Sequence, residues 1–163
     1  MIDNQGGGTA DETEKILAHD KPYKEVVAIR CSYPKNVVVS HLNVNSLHPK
    51  FQEIAELLNN CKFEVLVLSE TKLDSSYQNS TYESQTYSVY RQDKRSNSGG
   101  LLAYVLKDIP STAGPINECT DEFECMTIEL TCNGVKIIIV CVYKNSKMHP
   151  QDFKVSLKKY VKK

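Results

Sequence analysis

Three polar residues stand where runs of apolar, β-branched residues end. Asn43, with Asn45 close behind, follows Val37-Val38-Val39-Ser40-His41-Leu42. Glu70 follows Val65-Leu66-Val67-Leu68-Ser69, and Tyr143 follows the run from Val135 to Val142. A carboxylate beside an amide oxygen suits a hard divalent cation, because Mg²⁺ takes few protein oxygens and keeps several waters. The rim at strand C-termini is where α/β sheets gather ligand groups. Taken singly, each residue has an ordinary explanation. A Glu after a strand is usually a solvated loop residue, an Asn there serves turn chemistry, and a Tyr packs its ring and keeps its hydroxyl wet. Chemistry requires that the three converge.

The elements that must position them are legible as patterns. Val37 to Val44 reads as a buried strand. A helix is expected from Pro49 to Asn60: proline suits a first turn, and Phe51, Ile54, Ala55 and Leu58 share one apolar face. Phe63 to Leu68 reads as a second buried strand, so the strand-helix-strand run implies neighbouring strands in a covered sheet. Leu73 to Thr86 is a polar, serine-rich loop. Tyr87 to Arg91 and Leu101 to Leu106 read as strands joined through Ser96-Asn97-Ser98-Gly99. Met126, Ile128 and Leu130 alternate with polar residues, which marks a half-buried strand. Asn133-Gly134 is a two-residue hairpin turn leading into the strand Val135 to Tyr143. Phe153, Leu157, Tyr160 and Val161 line one face of a closing helix. Together these predict a mixed α/β layer architecture. Residues 1–36 are unlike the rest. Gly6-Gly7-Gly8 and the mixed charges after it predict a flexible leader without chemistry, in which Val26-Val27-Ala28-Ile29 is a short strand or a remnant of a neighbouring segment.

Bulk composition excludes little. The chain has 163 residues, with 20 Lys+Arg against 20 Asp+Glu. Global charge therefore does not point to a polyanionic partner. The stretch Lys144 to Lys163 does carry seven lysines against one acid, Asp152. Such an end suits either contact with nucleic acid or a solvated helix face. The six cysteines form no C-x-x-C pair and no zinc-like cluster. The opening residues are polar and glycine-rich, unlike a cleaved signal peptide, and no apolar run is long enough for a bilayer. The expectation is an intracellular protein with reduced thiols and no membrane association.

Order and context make the polar positions more specific. The strand ending in Leu-Asn-Val-Asn-Ser-Leu, the helix, and the strand ending in Leu-Ser-Glu-Thr-Lys-Leu resemble the endonuclease/exonuclease/phosphatase superfamily. So do Arg91-x-Asp93 before Gly99-Gly100 and the later strand ending in Val-Tyr. Within it, the nearest match is the apurinic-endonuclease-like domain of non-LTR retrotransposons. The resemblance runs from about Val37 to Val161 and covers roughly the N-terminal half of such a domain.

The resemblance implies a partial DNase I-like two-layer β-sandwich with flanking helices, in the α/β (α+β) class, over residues 37–163. It also implies roles. Glu70 would ligate Mg²⁺ or Mn²⁺, and Asn43 would lie in the metal shell and orient Glu70. Tyr143 would place its hydroxyl by the scissile phosphate. Asn45 and Lys72 would flank the substrate, with Asn45 uncharged where apurinic endonucleases often carry Asp. DNA would be the substrate of the full-length parent, which would work in the nucleus. The family's remaining catalytic motifs, Asp-x-Asn and a terminal Asp-His pair, do not occur in this chain. Without them the chain is expected to be inactive alone, marginally stable as a monomer, and open to association with a C-terminal half or another chain. Two alternatives stand beside this reading: a non-catalytic remnant that binds protein or nucleic acid, and another phosphoesterase of the same superfamily.

Overall fold

A computed structural model describes residues 23–95, 97–121 and 123–161 of the chain, without the side chains of residues 159–161. Seven strands form two sheets. The first has the order β1-β2-β4-β3, from Val39–Asn43 (β1), Val65–Ser69 (β2), Tyr87–Gln92 (β3) and Leu101–Leu106 (β4). The second has the order β5-β6-β7, from Ser111–Cys119, Phe123–Cys132 and Val135–Lys144. Helix α1 spans Lys24–Ser32, α2 spans Phe51–Cys61 and α3 spans Pro150–Val161.

Side-chain alternation explains the layering. Val65, Val67, Leu101, Ala103 and Val105 point from the first sheet toward Met126, Ile128, Leu130 and Cys141 of the second. Their neighbours Leu66, Leu68, Leu102 and Tyr104 point the other way, onto Ile54 and Leu58 of α2 and onto Leu73 and Tyr82 of the long loop. On the far side of the second sheet, Phe123, Cys125 and Met148 pack against Phe153 of α3. The result is helix, sheet, sheet, helix: the partial DNase I-like α+β sandwich that the sequence led us to expect.

The helix expected from Pro49 begins as a 3₁₀ turn at His48–Lys50 and becomes α2 at Phe51. It ends where Lys62 takes a left-handed conformation and returns its N–H to Leu58 O. That turn brings the chain back into β2, which runs parallel to β1 with Asn43 opposite Ser69. Asn133 (φ 51°) and Gly134 (φ 76°) form the hairpin turn read from their identity.

Three expectations need correction. The strand read as buried, β1, is largely exposed: among the described residues it is an edge of its sheet. Part of the expected leader is ordered. Residues Lys24–Ser32 form helix α1 and not a strand, with Val26 and Val27 against the α2 core and Arg30 paired to Glu64 at 2.6 Å. Residues 1–22 lie outside the described residues, as do the side chains of Tyr160 and Val161. Finally, the stretch between Leu106 and Met126, which offers no strand pattern in the sequence, holds β5. Its sequence Ser-Thr-Ala-Gly-Pro-Ile-Asn-Glu-Cys does not alternate, because the pairing to β6 shifts register between Ala113 and Asn117.

Candidate active site

Parallel pairing brings the C-terminal ends of β1 and β2 to one rim, and the ladder continues past the strands. Val44 N–H donates to Ser69 O, Ser46 N–H to Glu70 O at 2.8 Å, and Leu47 N–H to Thr71 O. From the other side, Lys72 N–H donates to Gly99 O at 2.8 Å and Thr71 N–H to Gly100 O. Within this frame four non-glycine residues hold positive φ: Asn45 (44°), Ser46 (88°), Glu70 (55°) and Lys72 (54°). Each such conformation costs on the order of 1–3 kcal/mol and persists only where surrounding structure fixes it. Four together at two adjacent strand ends mark a rim built to aim side chains.

What is aimed is a carboxylate. Asn43 Nδ2 donates to Glu70 Oε1 at 2.8 Å, and Tyr143 Oη donates to the same oxygen at 2.8 Å. No hydrogen bond reaches Glu70 Oε2 among the described residues. Asn43 is held in turn, because its Oδ1 accepts Asn45 N–H at 3.1 Å. Both polar ends of that amide are therefore engaged. Lys72 Nζ donates to Asn45 Oδ1 at 2.6 Å, closing a second pair beside the first. The two donors lower the Glu70 pKa, Asn43 more than Tyr143; Lys72 adds to the effect and partial burial opposes it. Burial, then the bond to Glu70, pushes the Tyr143 hydroxyl up to about 12, so it stays a donor at neutral pH.

All five residues singled out from the sequence thus gather on one rim. No group of three or more His, Cys, Asp or Glu suited to a metal ion exists among the described residues. The donor set is one carboxylate with a free oxygen, flanked by amides. That fits a Mg²⁺-type ion with a largely aqueous shell and does not fit a zinc-type site. All six cysteines are free thiols, and no described helix is long and apolar enough to cross a membrane.

Sequence reasoning missed Glu124 behind the rim and quoted Gly99-Gly100 only as part of a resemblance. Glu124 on β6 is fully buried, and its Oε2 accepts Gly100 N–H at 2.7 Å. Gly99 (φ 56°) and Gly100 (φ 90°) must lack side chains. A Cβ on Gly99 would lie 2.0 Å from Glu124 Oε1, and one on Gly100 would lie 2.3 Å from Thr71 Oγ1. The signal available was a glutamate at the start of an otherwise apolar inner row.

No protein-family model and no curated protein matches the chain. Solved structures do. The AP endonuclease LMAP from Leishmania major is 17% identical at TM-score 0.54, over 91% of this chain and 55% of that one. TDP2 from C. elegans is 13% identical at TM-score 0.59, over 93% and 52%. The endonuclease domain of TRAS1, a telomere-specific non-LTR retrotransposon, is 11% identical at TM-score 0.53, over 73% and 51%. In each case the chain spans little more than half of the matched structure. With two packed sheets and a polar rim on the parallel pair, the chain has a partial DNase I-like fold.

Proposed function

We propose that this chain is the metal-cradle portion of a Mg²⁺- or Mn²⁺-dependent DNA endonuclease of the non-LTR retrotransposon type. The observation that carries this reading is the convergence of Asn43 and Tyr143 on one oxygen of Glu70. Glu70 would hold the ion through Oε2, with Asn43 orienting the carboxylate rather than ligating. The bound ion would supply Lewis-acid polarisation of a phosphodiester and charge stabilisation at the leaving oxygen. Tyr143 would orient a phosphate oxygen through its hydroxyl, and Lys72 would offer a cation to the neighbouring phosphate. DNA as the substrate class rests on the likeness in fold to the AP endonuclease and the retrotransposon endonuclease.

The sequence carries neither Asp-x-Asn nor Asp-His, the motifs that would activate water and contact phosphate in the family it resembles. Loss of general-base catalysis alone costs about 10²–10⁴-fold, so the chain by itself binds the ion and turns over poorly. Isothermal titration with Mn²⁺ tests the first half, and nicking of supercoiled plasmid with Mg²⁺ tests the second. The expected result is Mn²⁺ binding lost in Glu70→Ala and no Glu70-dependent nicking by the chain alone. An affinity unchanged in Glu70→Ala refutes the cradle. Nicking that depends on Glu70 refutes the inactivity.

A further inference from the structure

On β6 the residues that face the first sheet are Leu130, Ile128 and Met126, an apolar row in the main core. The next position in that row is Glu124, also fully buried. A buried carboxylate costs several kcal/mol unless its surroundings repay it. Here repayment is incomplete: Oε2 accepts Gly100 N–H, whereas Oε1 has no hydrogen bond and only the Lys94 ammonium at 3.4 Å. The same ammonium also donates to Asp121 O at 2.8 Å. An apolar side chain here would leave the buried Gly100 N–H without an acceptor and Lys94 without its counter-ion. The carboxylate therefore does something that an apolar residue cannot.

Its bond goes to the one turn that braces the rim. Gly99 O and Gly100 O accept the N–H groups of Lys72 and Thr71; Lys72 is one of the two strained positions that follow β2, and Thr71 lies between it and the other, Glu70. Glu124 is also the cross-strand partner of Tyr143, and register partners share a sheet face. Two adjacent side chains of the second sheet thus reach across to the first. Tyr143 takes the Glu70 carboxylate directly, and Glu124 takes the N–H of Gly100, whose carbonyl braces the residue after Glu70.

We propose that Glu124 is a positioning residue for Glu70, acting through Gly100 to hold the Glu70–Lys72 segment in register with Tyr143. This deepens the metal-cradle reading and rests on it. Glu124→Asp keeps the charge but shortens the reach by one methylene, so the bond to Gly100 is lost. Glu124→Gln keeps an acceptor at the same reach. Leu130→Ala, at the far end of the same row, controls for general destabilisation.

Mn²⁺ titration should show affinity falling about 10–100-fold in Glu124→Asp, the range for a lost support behind a metal ligand. Glu124→Gln should recover most of it, and Leu130→Ala should leave it unchanged. Amide hydrogen exchange measures the same support without a metal. Thr71 and Lys72 N–H should exchange faster in Glu124→Asp than in wild type, and should stay protected in Leu130→Ala. If wild type binds no Mn²⁺, the cradle reading fails, and exchange at Thr71 and Lys72 alone decides the role of Glu124. Equal protection at those two amides in wild type and Glu124→Asp overturns the proposal, as does a loss of Mn²⁺ affinity in Leu130→Ala equal to that in Glu124→Asp.

Discussion

At the scale of residues, the economy of the site lies in two donors sharing one acceptor oxygen. Asn43 and Tyr143 both lean on Glu70 Oε1, and the depressed Glu70 pKa is the electrostatic record of that. The pH consequence has a definite sign. A carboxyl held below its ordinary value of 4.5 stabilises the fold above that pH, and the contribution disappears as pH falls through the lowered value. Tyr143 works at the other end. With its hydroxyl raised from 10.0 to about 12, it contributes fully below pH 10 and loses that contribution as pH rises through about 12. Tyr143→Phe removes the shared bond, at a cost of about 1 kcal/mol near neutral pH. It should also flatten both limbs of the profile. Urea unfolding followed across pH measures this, and acid and alkaline limbs as steep as in wild type would show that the bond is not formed in solution.

At the scale of elements, the loop after Glu70 matters as much as the strands. Arg91 clamps it: the guanidinium pairs with both oxygens of Asp93 and donates to Asp74 O, Tyr77 O and Asn79 Oδ1, beneath the ring of Tyr82. Lysine has the charge without the fork. Arg91→Lys should therefore cost roughly 1–3 kcal/mol and open residues 74–82 to limited proteolysis while the sheets persist; an unchanged cleavage pattern would refute the clamp. This loop also shows what a sequence can and cannot reveal. Periodicity gave α2, β2 and the β6–β7 hairpin, because each buries a regular face. It overvalued β1, whose valines look internal although its position is an edge, and it passed over β5, whose Gly114 and Pro115 sit at a register shift. The rim residues were legible because they end apolar runs. Glu124 was not, because burial of a charge is decided by tertiary neighbours that local pattern does not encode.

At the scale of the whole molecule, both sheets have open sides. Among the described residues β1 pairs only with β2, and β7 only with β6. Strand β7 is ten residues long and carries Ile138 at 60% exposure, with Val140 also exposed, on the face that α3 covers only near Phe123. A long apolar edge of this kind templates pairing with another strand, and the copy most available in a purified sample is a second β7. The chain is therefore expected to self-associate with rising concentration, which sedimentation velocity measures directly. Ile138→Lys isolates the cause. Exposure this high means little packing is lost, and the new cation stands opposite Glu129, its cross-strand partner on β6, where opposite charges attract. Unfolding stability should stay within about 0.5 kcal/mol of wild type, while the sedimenting species shifts to monomer. Association that survives Ile138→Lys unchanged would place the contact elsewhere, and a large loss of stability would show that Ile138 is packed rather than exposed.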